Sequence, residues 1–474
     1  MSVPSTETLR RSTIHPAPVS PGAPEGAIWL QDCLERLAAR QTSSETYHLT
    51  LPAPKVEPET LVTQGPFGLF WEAPGEPPQV GMGATHRLRL DGEDRFSDLK
   101  HRSREIWGGL VSECHPDCTP LPPRLYGGFA FAVGAADREP WGEFGDGSFS
   151  LPRWTYSGNG QGARLALAVR SGEISESTHR RTLLREWQDL LARLETLQPT
   201  EQDPPRVLGI DRTPAEEFQA LVESIREVIA AGTFEKIVAA GRSRVHLASP
   251  LETAAVLRRL RSGQTGGAVT RFAFVRGDST FLGLTPERLV SRRGRTVTTE
   301  ALAGSIASGG EHAARLLESG KDRREHHLVV EAIERRLRPL CESLEVACSP
   351  RIRALRDVLH LHTPISGTLR GDQHVLDLVE ALHPTPAVGG VPTEQAVRWI
   401  ARHEREPRGW YAAPVGWIDA EGDGDFAVAL RSCVLRGCEA FLYAGAGIVH
   451  DSDPRLEYQE AELKKQALLT ALGA

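Results

Sequence analysis

The 474-residue sequence is poor in the features that mark secreted, membrane-spanning and nucleic-acid-binding proteins. Its seven cysteines are too few and too scattered for a disulfide framework in so long a chain. Its formal net charge of −7 gives no basic footprint for nucleic acid. No apolar run approaches the roughly 20 residues of a transmembrane helix. We therefore expect a cytoplasmic protein with no membrane span and no nucleic-acid partner. The sequence carries no indication of its oligomeric state.

Three regions follow one another along the chain. Residues 1–26 are rich in Pro, Ser and Thr and have no apolar segment, which predicts a flexible tail. Residues 27–205 alternate short apolar runs with Gly and Pro, which predicts a sheet-rich half that closes with a helix over 178–197. A proline-containing linker over 199–212 leads into the region 206–474. The length exceeds one ordinary core, so we expect two domains or one large sheet-rich α/β unit.

The second half predicts a mixture of helices and strands. Its first helix has Thr213 as the expected N-cap and Pro214 at the first helical position, and it runs to about Ala231 before Gly232. Further predicted strands cover 236–239, 271–275, 288–291, 426–430 and 440–444, and further predicted helices cover 323–341, 394–402 and 457–472.

Lysine is scarce beside abundant arginine: the lysines are Lys55, Lys100, Lys236, Lys321, Lys464 and Lys465. Lys236 lies inside an apolar, strand-like run, where desolvation favours the neutral amine of a general base. The alternative is an edge-strand lysine whose amine reaches out to water. The pattern alone leaves both interpretations open.

Two predicted helices carry acids three residues apart, Asp322 with Glu325 and Glu457 with Glu460. This spacing puts both carboxylates of a pair on one helix face, where they repel unless a cation lies between the helices. Lys464 shares the face of Glu460, so a solvated surface with an ordinary Glu–Lys pair is the alternative.

Three other segments carry candidate site residues. Residues 445–447 read Gly-Ala-Gly after a strand, and they form either a backbone anion site or a tight turn. Arg431 ends a predicted strand and could hold a carboxylate through two hydrogen bonds. His360 and His362 flank a leucine in a β-like run, where a structural role is the alternative.

The chain resembles the chorismate-binding enzyme family, and within it the isochorismate synthases. The resemblance covers nearly all of 206–474, whereas the first half resembles the family chiefly at YGGFAFAV (126–133). The matching stretches, in order, are FEKIVAA (234–240), TPERLV (285–290), EALAGS (300–305), KDRREHHLVV (321–330), VLHLHTPISG (358–367), LHPTPAVGGVP (382–392), RGWYAAPVGW (408–417), DGDFAVALRS (423–432) and AGAGIVHDSDPRLEYQEAELKKQ (444–466).

The resemblance implies a fold and a reaction. The implied fold is a two-layer α/β sandwich of large antiparallel sheets flanked by helices, with the site in a cleft between them. Lys236 is then the general base that activates water for attack at ring C2 of chorismate. Glu287 is then the general acid that protonates the departing C4 hydroxyl, a poor leaving group. The product of such an enzyme feeds menaquinone, siderophore or salicylate synthesis.

The resemblance also implies a magnesium ion that binds and neutralises the ring carboxylate. Its direct ligands are then Glu325 and Glu460, and Asp322 and Glu457 act through water. The implied substrate-binding residues are Gly304, Gly445, Arg431 and Lys464, which hold the carboxylates of chorismate, and His360 near the ring.

The residue at the base position separates the branches of the family. Anthranilate and aminodeoxychorismate synthases generally carry glutamine where Lys236 stands, and many of the latter carry a lysine where Ala303 stands. We therefore expect an isochorismate synthase. The alternatives are a salicylate synthase, which goes on to eliminate pyruvate, and a catalytically silent chorismate-binding protein of the same fold.

Overall fold

The computed structural model describes residues 23–40, 45–62, 67–159, 162–197, 203–262, 269–356 and 358–474. The described helices are α1 (Ala23–Ala38), α2 (Arg95–Gly108), α3 (Ser171–Ile174), α4 (Ser177–Thr196), α5 (Ala215–Ala230), α6 (Thr253–Ser262), α7 (His312–Glu318), α8 (Gly320–Leu337), α9 (Val375–Leu382), α10 (Thr393–His403) and α11 (Pro454–Leu472), with a short 3-10 helix at Pro58–Leu61. No helix in these ranges combines the length and the apolar character that crossing a membrane requires.

The described strands are β1 (Thr46–Ala53), β2 (Phe67–Glu72), β3 (Gln79–Met82), β4 (His86–Leu90), β5 (Leu110–Cys114), β6 (Leu125–Phe129), β7 (Gly147–Leu151), β8 (Trp154–Asn159), β9 (Gly162–Arg170), β10 (Val207–Arg212), β11 (Lys236–Leu247), β12 (Thr270–Arg276), β13 (Ser279–Thr285), β14 (Arg288–Arg293), β15 (Thr296–Ala307), β16 (Cys341–Val346), β17 (Arg351–Ala354), β18 (Val358–Leu369), β19 (Gly390–Val391), β20 (Pro414–Ile418), β21 (Gly424–Val428), β22 (Ser432–Arg436) and β23 (Glu439–Ile448).

Within the described ranges, these strands form two large sheets of 13 and 10 strands. The larger sheet runs in the order β10-β11-β23-β22-β13-β12-β2-β3-β8-β9-β1-β5, and β19 pairs with the end of β11. The smaller runs β16-β18-β15-β14-β21-β20-β6-β7-β4, and β17 also pairs with β18. The predicted mixed α/β architecture is confirmed. One pair, β1 with β5, is parallel rather than antiparallel.

Both halves of the chain contribute strands to both sheets. In the larger sheet β2 pairs with β12, and in the smaller sheet β6 pairs with β20. The predicted boundary between residues 205 and 206 therefore does not coincide with a boundary between the sheets, because each sheet contains strands from both sides of it. Of the two expected organisations, the structure is one large sheet-rich unit.

Alternation along the strands explains how the sheets pack. On β12, Phe272 and Phe274 point into the core between the sheets, whereas Ala273 and Val275 point to the opposite face. The inter-sheet core is rich in aromatic rings. Trp410 packs edge-on against Phe281, with 6.2 Å between the ring centroids. Burial of each such side chain stabilises the fold by roughly 1.5–3 kcal/mol. Helices α1, α4, α6 and α11 cover the outer face of the larger sheet, and α8 and α9 pack on the smaller one.

Two predicted boundaries differ from the structure. Helix α1 begins at Ala23, inside the predicted tail, and residues 1–22 lie outside the described residues. The last part of the predicted linker forms strand β10, which pairs with β11, and residues 198–202 lie outside the described residues.

Thr213 does not cap helix α5, which has Pro214 as its N-cap without a side-chain hydrogen bond. The Thr213 hydroxyl instead accepts from the Arg242 N–H at 3.1 Å and donates to the Arg242 carbonyl at 3.0 Å. The Thr213 hydroxyl, which the local sequence predicted to cap the helix, therefore forms its hydrogen bonds with strand β11 instead.

Gly409 gives a test of the inter-sheet packing. It has a φ of +54°, and an added Cβ would lie 2.0 Å from Cδ2 of the buried Trp141. We predict that Gly409→Ala lowers the free energy of unfolding through left-handed strain of about 1–2 kcal/mol and overpacking of about 1–3 kcal/mol. Gly437→Ala is the control, because its φ is +55° but nothing lies within 4 Å of the added Cβ. Equal losses for the two variants in urea unfolding would contradict the packing term.

Candidate active site

A narrow cavity of about 80 Å³ lies between the two sheets, next to α8 and α11. Val238 of β11 and Ala444 of β23 line it from the larger sheet, and Ala303 of β15 lines it from the smaller one. Eight of the predicted site residues line it: Glu287, Gly304, Glu325, His360, Arg431, Gly445, Glu460 and Lys464. Lys236, Asp322 and Glu457 are not in the lining, but each is buried or half-buried beside it.

Lys236 is the first residue of β11, and its side chain is fully buried. Its Nζ lies 2.9 Å from Oε1 of Glu325 on α8, as an ion pair without the alignment of a hydrogen bond. Because this end of β11 lies between β19 and β23, Lys236 is not an edge-strand lysine that reaches water. A buried charge is tolerated when an opposite charge lies beside it.

Gly447 on β23 leaves the space for this ion pair. A Cβ at Gly447 would lie 2.1 Å from Glu325 Oε1 and 2.8 Å from Lys236 Cε. The Gly-Ala-Gly segment was expected to offer backbone groups or a turn. The structure shows that its second glycine also leaves space for two of the predicted site side chains.

Glu287 lies in the turn that leads from β13 in the larger sheet to β14 in the smaller one, and it is buried. Burial and the negative charge of Glu300 raise its pKa to about 8, against the opposing effect of Lys236. Its carboxyl group is therefore mainly protonated at neutral pH, which is the state that a general acid needs.

Arg431, His360 and Gly304 lie together on the side of the smaller sheet. Arg431 has a φ of +45°, and its Nη2 donates to His360 Nε2 at 2.9 Å. Burial and the positive charges of Arg431 and Lys464 hold the pKa of His360 well below its usual range, so the imidazole is neutral. Gly304 has a φ of +75°, and an added Cβ would lie 3.1 Å from Asp322 Cβ.

Lys464 on α11 brings a second cation to the cavity. Its Nζ lies 2.7 Å from Glu460 Oε1 and donates to the Gly445 carbonyl at 3.0 Å. The Glu–Lys pair that was one interpretation of this helix therefore exists, but it faces the cavity and is only one-fifth to one-quarter exposed. Arg431 and Lys464 give this side of the cavity a positive character suited to a carboxylate.

Two helices bring four carboxylates together, Asp322 and Glu325 from α8 and Glu457 and Glu460 from α11. Burial and the neighbouring negative charges of Glu325 and Glu460 raise the pKa of Asp322. Burial and Glu460 likewise raise the pKa of Glu457. The four groups are thus close enough to repel one another.

Lysines balance three of these carboxylates: Lys236 with Glu325, Lys464 with Glu460, and Lys321 with Glu457. Burial opposes the ionisation of Glu460, but Lys464 and the Ser305 hydroxyl outweigh it and lower its pKa. Lys321, one of the six rare lysines, was not assigned to the site from the sequence. The scarcity of lysine in the sequence was the feature that could have identified it.

Residues 31–473 match the family described as chorismate binding enzyme. The chain belongs to this family. It is 39% identical over 417 residues to a Pseudomonas aeruginosa protein named salicylate biosynthesis isochorismate synthase. The alignment covers 86% of this chain and 85% of that protein. It is 34% identical over 418 residues to isochorismate synthase MenF of Bacillus subtilis, with 85% and 87% covered. The structure of MenF, the menaquinone-specific isochorismate synthase from Escherichia coli, has a TM-score of 0.76 and 28% identity, with 94% of this chain and 100% of that one covered.

The four carboxylates on α8 and α11 are the residues expected to bind magnesium. Carboxylate oxygens are the hard donors that Mg²⁺ prefers, and the pKa shifts of Asp322 and Glu457 show negative charge that a cation would relieve. As the side chains stand, no three acidic, His or Cys groups of the described residues converge on one ion position. The donor chemistry fits, and the lysine pairs occupy the oxygens that an ion would take.

A buried ion pair that was missed from the sequence holds the strand of Lys236. Arg408 donates to the carbonyls of Val238 and Val388, and it pairs with Glu404 at 2.6 Å. Glu404 in turn accepts from the Ala240 N–H at 2.9 Å. The signal was weak, since Arg408 opens the RGWYAAPVGW stretch but nothing in that stretch identifies its partners.

A larger cavity of about 410 Å³ lies nearby, between α5, β11 and the segment 403–408. None of the predicted site residues lines it. Its arginines pair with acids: Arg212 with Glu462, Arg242 with Glu406, Arg244 with Glu439, Arg405 with Glu217, and Arg408 with Glu404. The smaller cavity is the candidate active site because eight of the predicted site residues line it, among them Glu287, His360 and Glu460 with shifted pKa values.

The protonation of Glu287 can be measured without any substrate. We predict that infrared spectra of the wild type minus Glu287→Gln show the carbonyl band of a protonated carboxyl group at pH 7. The band should disappear as the pH rises through about 8, because burial and Glu300 raise the pKa of Glu287. Other buried acids such as Asp425 cancel in the difference. A band already absent at pH 6 would contradict this assignment.

Proposed function

We propose that this chain is an isochorismate synthase, which converts chorismate reversibly into isochorismate by adding water at C2 and expelling the C4 hydroxyl. The observation that carries the proposal is that a buried amine, Lys236, lies beside the cavity that a protonated buried carboxyl group, Glu287, lines. The relatives described above bear isochorismate synthase names and align along most of their lengths.

In this reaction the base is the neutral amine of Lys236, released from its ion pair with Glu325. The amine takes a proton from the attacking water as the water oxygen bonds to C2. Both ring double bonds shift, from C1=C2 to C1=C6 and from C5=C6 to C4=C5, the C4–O bond breaks, and Glu287 donates its proton so that the leaving group departs as water. The reverse reaction exchanges the two roles, because the forward and reverse paths share one transition state. The buried position of Glu287 and its raised pKa support its assignment as the acid.

Chorismate carries two carboxylates, and the cavity offers cations for them. Lys464 and Arg431 supply charge, and backbone groups near Gly304 and Gly445 supply hydrogen bonds, as expected from the family resemblance. His360 is neutral, so it contributes a hydrogen bond or packing near the ring rather than charge.

The position of Ala303 supports water rather than an amine as the nucleophile. Ala303 lines the cavity with a methyl group where many aminodeoxychorismate synthases carry lysine. No contact in the cavity specifically favours a salicylate synthase, so that activity remains an outcome of the assay rather than a second proposal.

Magnesium is part of the proposal. Glu325 and Glu460 are its expected direct ligands, and Asp322 and Glu457 are expected to act through water. When bound, the ion supplies positive charge for the ring carboxylate of the substrate. A cytoplasmic location is also proposed, and it is supported by seven unbridged cysteines.

One assay tests both the product and the base. Purified protein with chorismate and magnesium should form isochorismate until the two reach equilibrium from either side, as followed by chromatography. Lys236→Gln should lower turnover by about 10²–10⁴-fold, the usual contribution of a general base. Lys465→Gln is the matched control, because Lys465 is equally buried and paired with Glu462 but lies outside the cavity. Wild-type turnover in Lys236→Gln would remove Lys236 from the mechanism, and early stoichiometric release of pyruvate and salicylate would indicate a salicylate synthase.

Magnesium binding can be measured without the substrate. Calorimetric titration of substrate-free protein with Mg²⁺ should give a Kd that rises in Glu460→Gln by at least the roughly 10–100-fold that changes around a metal usually cost. Glu462→Gln on the same helix is the control, because Glu462 pairs with Lys465 and Arg212 instead. Equal Mg²⁺ affinity in the wild type and Glu460→Gln would contradict the ligand assignment.

A further inference from the structure

Three side chains behind Glu287 form a network that the mechanism above does not use: Glu300 on β15, Arg353 on β17 and His362 on β18. The two terminal nitrogens of Arg353 each donate to a different oxygen of Glu300 at 2.7 Å. His362 Nε2 lies 3.0 Å from Glu300 Oε2 and 2.7 Å from Arg353 Nη2. The side chains are only 13–16% exposed. Such a paired guanidinium and carboxylate form a stiff unit.

This network holds the backbone on both sides of Glu287. Arg353 Nη1 donates to the carbonyl of Pro286 at 2.9 Å. On the other side, the N–H of Arg288 donates to Glu300 Oε1 at 3.0 Å. The turn that carries Glu287 is therefore bonded, before and after the residue, to a single ion pair.

We propose that Glu300, Arg353 and His362 form a positioning unit that fixes the Pro286–Glu287–Arg288 turn and directs the Glu287 carboxyl toward the cavity. The inference rests on the proposed function, in which Glu287 is the acid. None of the three side chains is in the lining of the cavity. They are positioning residues, and they should affect the chemical step more than substrate binding.

The unit also has an electrostatic effect on Glu287. The charged groups that act on it are Glu300, Lys236, Arg353 and Lys464, and Tyr411 lies near it. Among these, Glu300 is the one that favours the protonated form, after burial itself. Burial opposes the ionisation of Glu300, but hydrogen bonds from His362 and Arg353 outweigh it and lower its pKa to about 2. The two carboxyl groups are thus kept in opposite charge states, as in other acid–base pairs.

Glu300→Gln tests both effects, because it keeps the size of the side chain but removes its charge. We expect kcat to fall about 10-fold to 100-fold, part of the 10²–10⁴-fold that a general acid contributes, with KM within about twofold of the wild type. The alkaline limb of the rate profile should move to lower pH, because loss of the negative charge and the uncompensated Arg353 both lower the pKa of Glu287. The infrared band of protonated Glu287 should disappear at a correspondingly lower pH in substrate-free protein.

Arg353→Lys separates geometry from charge. Lysine keeps a positive charge, but it cannot bond both oxygens of Glu300 and the Pro286 carbonyl together. We expect kcat to fall while the pH at which the Glu287 band disappears changes less than in Glu300→Gln.

Arg271→Lys is the matched control for general loss of stability. Arg271 is only 1% exposed. It donates hydrogen bonds to the carboxylates of Glu72 at 2.6 Å and Glu59 at 2.7 Å, and to the Leu257 carbonyl at 2.9 Å. It lies outside the cavity lining. We expect it to lower the unfolding midpoint without moving kcat or the Glu287 band.

The inference is overturned by a wild-type kcat and an unmoved Glu287 band in Glu300→Gln, or by an equal kcat loss in Arg271→Lys. If the wild type itself does not convert chorismate, the proposed function fails. The infrared titration then still decides whether Glu300 controls the protonation of Glu287.

Discussion

The ion pair between Lys236 and Glu325 is the contact on which the rest of the site depends. It joins the first residue of β11, the strand next to the edge strand β10 in the larger sheet, to helix α8, which packs on the smaller sheet. Removal of one partner from a buried pair costs roughly 3–5 kcal/mol, because the remaining charge is left without compensation. Gly447 must stay without a side chain for the pair to form, and Arg408 holds the same strand through the Val238 carbonyl.

The cavity also keeps two of its carboxyl groups in different protonation states. Glu287 is mainly protonated beside a charged Glu300, whereas Glu460 stays ionised beside Lys464. The difference comes from position: the turn between the sheets leaves Glu287 without a bonded cation, and the i, i+4 spacing on α11 supplies one to Glu460. Acid–base chemistry and anion binding can therefore share a space of about 80 Å³.

Local patterns predicted the groups in this site better than their partners. The scarcity of lysine drew attention to Lys236, and the three-residue spacing of the acids on two helices predicted that each pair shares a face. Contacts between distant segments were not predictable: Glu325 is 89 positions from Lys236, and Arg353 is 67 positions from Pro286. The same reason explains Thr213, whose hydroxyl bonds a strand rather than its own helix, and the parallel β1–β5 pair. The family resemblance supplied roles for individual residues, which spacing and composition left open.

The central claim is that Lys236 and Glu287 add one water to the ring and remove another. The most direct measurement is the mass of the product formed from unlabelled chorismate in water enriched in oxygen-18. We predict that isochorismate gains one heavy oxygen at C2 from its first appearance, and that chorismate recovered at equilibrium carries the label at C4. Isochorismate without the label, formed at the full rate, would show that the hydroxyl migrates within the substrate and would contradict the assigned roles of the base and the acid.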